Sequence, residues 1–142
     1  MPSIAAFPAS SRERLATPVS EIMRPGVITI GDRASLLQAK RAMVRHGVHA
    51  VLVAGTQSGD PLGWVSADGL LGWLERDLSA LPASRAITEP PRFIEPDAIA
   101  RYALEMLEKP GVSHLLVRAA EGGVPQGVVA PMDLVELVTR AA

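Results

Sequence analysis

The sequence repeats itself at a fixed interval of 64 residues. Gly47-Val48 returns as Gly111-Val112, and Leu52-Val53 as Leu116-Val117. Gly59, Pro61, Gly63 and Val65 return as Gly123, Pro125, Gly127 and Val129. Upstream, Ile30, Ala34 and Ala39 recur as Ile94, Ala98 and Ala103; downstream, Leu70 recurs as Leu134. No gap is needed between Ile30 and Leu70, so the spacing of several elements is preserved together. This is the signature of a duplicated supersecondary unit. Two such units packed face to face are expected to leave two similar clefts.

A chain of 142 residues suffices for one ordinary domain, or for two half-size units sharing a core. Hydrophobic residues make up 48% and charged residues 20%, a globular composition. The net charge of −1 argues against a nucleic-acid binder that relies on a broad basic surface. With no cysteine, disulfides, thiolate metal sites and cysteine nucleophiles are excluded. No apolar run approaches the roughly 20 residues that span a bilayer. Residues 1–17 lack the apolar core of a signal peptide, so a cytoplasmic location is expected.

Those first 17 residues match nothing in the second copy and read as an N-terminal arm, partly mobile or docking a partner. The copies then run over 18–77 and 83–142, joined by a linker at 78–82. Each opens with a helical turn before a proline (Pro25, Pro90), followed by an extended segment, Val27 to Ile30 or Arg92 to Ile94. A helix is expected from Ala34 to His46, with Leu36, Ala39 and Met43 on one face and Gly47 as its stop. Its counterpart spans Asp97 to Lys109, with Gly111 as the stop. Two strands follow, Ala50 to Ala54 and Leu62 to Ser66, then Leu115 to Arg118 and Gln126 to Ala130 in the second copy. A closing helix ends each copy, Ala67 to Arg76 and Met132 to Arg140. The fold class is therefore α/β, of the α+β kind: two β-α-β-β-α units related by a pseudo-twofold axis, with small sheets covered by helices.

The closing helices carry Leu70, Leu71, Trp73 and Leu74, repeated in register as Leu134, Val135, Leu137 and Val138. These positions span an arc of about 160°, wider than the roughly 100° stripe that one core contact requires. Either the helix is wedged between two parts of the same core, or part of this face, Trp73 especially, meets a second protomer.

The ordered pattern Ile22-Met23-x-Pro25, an Ala-rich helix ending in Gly47-Val48, a hydrophobic strand, a Gly-x-Pro-x-Gly turn, and Gly63-Trp64-Val65-Ser66 leading into a helix resembles a CBS domain, named after cystathionine β-synthase. The second copy resembles it too, so residues 18 to 142 look like a tandem CBS pair. The resemblance implies a regulatory module with two clefts that take adenosine derivatives such as AMP, ADP, ATP or S-adenosylmethionine, and that commonly forms a flat homodimer. It would be a stand-alone sensor or adaptor without a catalytic domain.

The family's nucleotide motif is Gly, two apolar residues, Ser or Thr, two variable residues, then Asp. A hydroxyl and unpaired N–H groups at a helix start suit a phosphate, and a carboxylate one turn along accepts ribose hydroxyls. In the first copy Ser66 fits the phosphate role, but Gly69 stands at the carboxylate position and Asp68 lies one residue early. In the second copy Asp133 is in place, but the hydroxyl has become Ala130. Each copy keeps half of the motif. The alternative for Ser66 and Asp133 is helix capping without a ligand. The family geometry would set Thr29 and Phe93 beside the adenine, with strand packing as the alternative. His49 and His114 follow the Gly-Val steps, where the family's chain lines the cleft; two histidines without a clustered carboxylate or cysteine make a poor metal site. Arg24, Arg45 and Arg92 are candidates to neutralise phosphate, or plain surface arginines.

There is no Gly-rich phosphate loop followed by lysine, no His-Glu-x-x-His and no supported Ser-His-Asp order, so the chain reads as a non-enzyme that requires no cofactor. Two functions compete: a sensor that binds an adenosine ligand weakly in inter-unit clefts, and a ligand-free dimeric adaptor with degenerate sites that docks an unidentified partner.

Overall fold

A computed structural model describes residues 11–119 and 121–140. The N-terminal arm's first ten residues lie outside the described part. After a helical stretch at residues 11–14, the described residues run as β1 (Arg24–Pro25), β2 (Thr29–Gly31), α1 (Leu36–His46), β3 (Ala50–Ala54), β4 (Pro61–Ser66), α2 (Ala67–Leu70), β5 (Phe93–Ile94), α3 (Ala100–Leu107), β6 (Leu115–Val117), β7 (Gly127–Val129) and α4 (Pro131–Thr139). Single 3-10 turns lie at Val19–Glu21, Leu71–Trp73 and Ala83–Ala86. The fold is the mixed α/β arrangement of small sheets and helices expected from the repeat. No helix among the described residues is long and apolar enough to cross a membrane.

The chain forms two compact units. A central unit spans Val27–Pro91, and a terminal unit joins the described residues up to Gly26 with those from Arg92 onward.

In the central unit the sheet order is β2-β3-β4. β2 and β3 run parallel, so a crossover must join them, and α1 is that crossover. β3 and β4 form an antiparallel pair, with Val51 opposite Val65 and Ala50 opposite Ser66. α1 begins two residues later than the pattern predicts, because Ser35 takes the N-cap. The Gln38 N–H donates to Ser35 Oγ (3.1 Å) and the Ser35 N–H donates to Gln38 Oε1 (2.8 Å). It stops at Gly47, whose φ of 63° is the left-handed conformation an L side chain resists. Its buried face is the expected Leu36, Ala39 and Met43, packed against Val51, Val53 and Val65. The segment between the repeats is docked here: the Leu81 and Leu78 carbonyls accept from the Leu36 and Leu37 N–H groups at 2.8 and 3.1 Å.

The terminal unit has the sheet order β1-β7-β6-β5, with β5 and β6 parallel and the other pairs antiparallel. Its core gathers Ala100, Ala103, Leu115, Val117, Val129, Leu134 and Leu137. Leu15, from ahead of the first copy, and Val19, from its opening turn, complete it. In the central unit the matching places are taken by Ala83 and Ala86, which open the second copy. Each copy's opening turn thus packs into the other copy's core. Burying a side chain such as Val19 contributes about 1.5–3 kcal/mol, which offsets part of the cost of ordering the turn that carries it.

The closing helices differ. α4 runs nine residues, whereas α2 ends at Leu70 and passes into the Leu71–Trp73 turn. Gly69 and Gly72 stand where α4 has Asp133 and Glu136, and each interior glycine weakens a helix by about 1 kcal/mol.

Candidate functional site: two strand-to-helix steps

In the terminal unit β7 passes through Ala130 into α4, with Pro131 at the first helical position. Asp133 sits at the third. Its Oδ2 accepts the Ala130 N–H at 2.8 Å, which is the half of a capping box that an alanine N-cap permits. Its Oδ1 faces the Arg24 guanidinium, with Nε 3.8 Å away. That separation makes an ion pair but not a hydrogen bond. Asp133 is only 8% exposed, while the Arg24 side chain is 64% exposed. Burial pushes the Asp133 carboxyl above its ordinary range, opposed by the Ala130 N–H and by the charges of Arg24 and His114; Glu136 adds to the rise. His114 is half-buried, its Nδ1 2.8 Å from Ser113 Oγ.

Arg24 reaches this step through backbone pairing. β1 lies antiparallel to β7, with Arg24 opposite Val128 and Pro25 opposite Gly127. A Cβ on Gly127 would collide with the Arg24 carbonyl oxygen, so a glycine there is what lets β1 approach.

The step in the central unit is built differently. Ser66 Oγ accepts the Gly69 N–H at 3.0 Å and serves as the N-cap of α2. Asp68 is exposed on the first turn. A side chain at Gly69 would start 3.2 Å from both Ser66 Oγ and Thr88 Cγ2. Opposite Trp64, the counterpart of Val128, stands Glu89, which is buried. Glu89 therefore holds the register position that Arg24 holds in the terminal unit, with the charge reversed. His49 is exposed, and its carbonyl accepts the Ala67 N–H at 2.8 Å, which ties it to the same step. Thr29 is exposed on β2 opposite Leu52.

Of the residues singled out from sequence, Asp133 and His114 share one step, and Ser66, Asp68 and His49 share the other. Phe93 belongs to a third feature. It lines a groove of about 350 Å³ with Ile94, Glu95, Ala98, Tyr102, Arg118 and Glu121. The Arg118 guanidinium lies 3.3 Å from the Phe93 ring centroid and covers one ring face. The groove sits where Ile94 pairs with Val117, the end of the sheet away from Val129 and Asp133. Arg118 and Tyr102 belong to no motif, so nothing in the sequence marked them. Among the described residues, no three histidine, aspartate or glutamate side chains converge to hold a metal ion.

A family model for the CBS domain matches residues 19–76 and again 83–140. None of the curated proteins matches significantly. Solved structures do. The CBS domain of a bacterial CNNM/CorC-family Mg2+ transporter in complex with ATP is 27% identical, with 96% of each chain covered and a TM-score of 0.81. An AMP complex of a CBS-domain protein from Pyrobaculum aerophilum is 19% identical over 87% of this chain and 99% of that one, with a TM-score of 0.73. A CBS-domain protein from Agrobacterium tumefaciens is 21% identical over 87% and 94%, also with a TM-score of 0.73. The last two likenesses are of fold alone. Two full matches to the family, in the register of the internal repeat, establish that this chain belongs to the CBS-domain family and carries the domain twice.

Proposed function

We propose that this regulatory CBS pair binds an adenosine-containing ligand (AMP, ADP, ATP or S-adenosylmethionine) weakly, at the terminal unit's strand-to-helix step. The observation that carries the reading is Asp133 Oδ1: an oxygen of a largely buried carboxylate that accepts no hydrogen bond from any described residue. Ribose hydroxyls are the donors that such an acceptor takes. The ATP complex of the transporter's CBS domain, similar over nearly its whole length, supports the same ligand class. Weak affinity follows from Ala130, which offers no hydroxyl to a phosphate. A thermal-shift series with AMP, ADP, ATP, S-adenosylmethionine and NADH tests this. Ligand at 100 times its Kd adds about 2.7 kcal/mol and should raise the melting temperature by several degrees. Asp133→Ala should abolish the shift. No shift from any of these compounds at millimolar concentration would sink the reading.

A second reading, a homodimeric interaction module, draws on the closing helices. Leu71 and Leu74 are 66% and 58% exposed, and Met132 and Val135 are exposed on α4. Apolar side chains gathered on such surfaces favour a protein contact. A monomer in sedimentation at micromolar concentration would exclude it.

A further inference from the structure

The groove beside Phe93, Tyr102 and Arg118 is built from residues that the other copy does not share. At the 64-residue interval its apolar lining is kept: Ile94 answers to Ile30, and Ala98 to Ala34. Every aromatic or charged residue of the lining differs. Phe93, Glu95, Tyr102, Arg118 and Glu121 stand where the first copy has Thr29, Gly31, Gln38, Ala54 and Gln57. The fold therefore forms without them. The central unit also uses the same places differently. Gln38 completes the capping box with Ser35, and a side chain in the place of Glu95 would start 3.0 Å from Thr56 Oγ1, which Asp32 holds there by accepting from the Thr56 N–H and hydroxyl. In the terminal unit α3 has no side-chain cap, and Tyr102 is left 53% exposed beside the groove.

The lining is mixed in charge. Arg118 lies over the Phe93 ring, which holds the guanidinium in place without using its in-plane N–H groups. Among the described residues, no ion pair joins Arg118 to Glu95 or Glu121, although all three line one groove. The groove thus offers a forked donor to a carboxylate and two acidic residues to a cation. Two acids to one base disfavour a phosphate or any other purely anionic ligand. A zwitterion suits both kinds of group. At about 350 Å³ the groove lies at the lower end of small-molecule sites, and Ala98 and the Tyr102 ring supply apolar surface for a short side chain.

We infer that this groove is a second ligand site, which takes a free α-amino acid with an apolar side chain: its carboxylate on Arg118, its ammonium toward Glu95 and Glu121, its side chain against Ala98 and Tyr102. The site lies at the far end of the terminal sheet from Asp133, since Ile94 pairs with Val117 and Val117 with Gly127, whereas Leu115 pairs with Val129 beside the strand-to-helix step. It stands whether or not a nucleotide binds at that step. Because the first copy lacks the charged lining, each chain takes one amino acid.

Calorimetric titration of the full chain with L-leucine, L-methionine and L-phenylalanine tests the inference. At least one should bind, with one equivalent per chain. The N-acetyl and methyl ester derivatives of that amino acid each lack one of its two charges. Both should bind at least about tenfold more weakly, the scale of one charge-assisted contact. These derivatives probe the wild-type protein, so a folding defect in a variant cannot mimic the result. Arg118→Gln should weaken the amino acid by a similar factor and leave the methyl ester unchanged. The pair Glu95→Gln and Glu121→Gln should weaken the amino acid and leave the N-acetyl derivative unchanged. AMP at millimolar concentration should not displace it. Absence of binding by all three amino acids, derivatives bound as tightly as the parent, unchanged affinity in Arg118→Gln, or displacement by AMP would each overturn the inference while leaving the adenosine reading standing.

Discussion

Thr88 stands against the space that a side chain at Gly69 would enter, its Cγ2 3.2 Å from where a Cβ would lie. The nucleotide motif of the first copy is thus incomplete in two ways at once: the carboxylate is missing, and its place is partly filled from a distant stretch of chain. Restoring the residue alone does not restore the site.

Gly69→Asp should therefore lower stability in spite of the better helix propensity of aspartate, because Thr88 must give way; the cost is about 1 kcal/mol, the lower end for overpacking. Adding Thr88→Ala should recover most of it. Urea denaturation of the single and double variants measures both steps. A single variant as stable as wild type would show that Thr88 moves at no cost.

Asp133 makes a pH signature. Its folded-state pKa is raised from the ordinary 3.8, so the folded protein holds this proton more tightly than the unfolded chain. As pH rises from the unfolded value through the raised folded one, the unfolded chain ionises first, and Asp133's contribution to stability falls. Asp133→Asn lacks this loss, and its amide oxygen still accepts the Ala130 N–H. Relative to wild type, the variant should gain stability across that window, read from urea melts at about pH 4 and pH 7. A constant difference between the two pH values would contradict the assignment.

On the homodimer proposal, Leu71 and Leu74, rather than Trp73, are the side chains on which contact through the first closing segment would depend. Trp73 is half-buried against the central core, with Arg76 and Arg85 at 5.5 and 5.8 Å from its ring centroid. Leu71→Glu and Leu74→Glu should shift sedimentation toward monomer with little change in melting temperature. Trp73→Glu should also lower the melting temperature, since it removes core packing. Unaltered sedimentation of both leucine variants would place any dimer contact elsewhere.

Arg14 ties the start of the described chain to its end. Its Nη1 donates to the carbonyls of Leu137 and Val138 at 3.4 and 3.3 Å, and to that of Arg140. A cation on the C-terminal carbonyls of a helix complements the dipole and satisfies groups that have no helical partner. Arg14→Ala should cost about 0.5–1 kcal/mol, measurable as a lower urea midpoint, with Arg14→Lys falling between. An Arg14→Ala midpoint equal to wild type would mean the contact contributes nothing.

The sequence alone determined the repeated unit, the order of its elements and most of each helix's buried face. Leu36, Ala39 and Met43 are legible because a helix writes its buried face at a local spacing, and Gly47 because only a left-handed cap asks for glycine there. It also placed Ser66 and Asp133 at helix starts, since capping needs those residue types within one turn.

Tertiary structure decided the rest. Nothing local tells Arg24 that its strand will pair with Gly127–Val129, or Glu89 that it will stand opposite Trp64, because sheet pairing is a matter of register between distant segments. The exchange of opening turns was hidden for the same reason: Val19 and Ala83 are apolar residues whose local pattern does not say which core they enter. The sequence shows two half-motifs of equal standing. Packing makes them unequal, setting an arginine beside one carboxylate and a threonine against the glycine that replaced the other, and contacts of that kind exist only once the chain has folded.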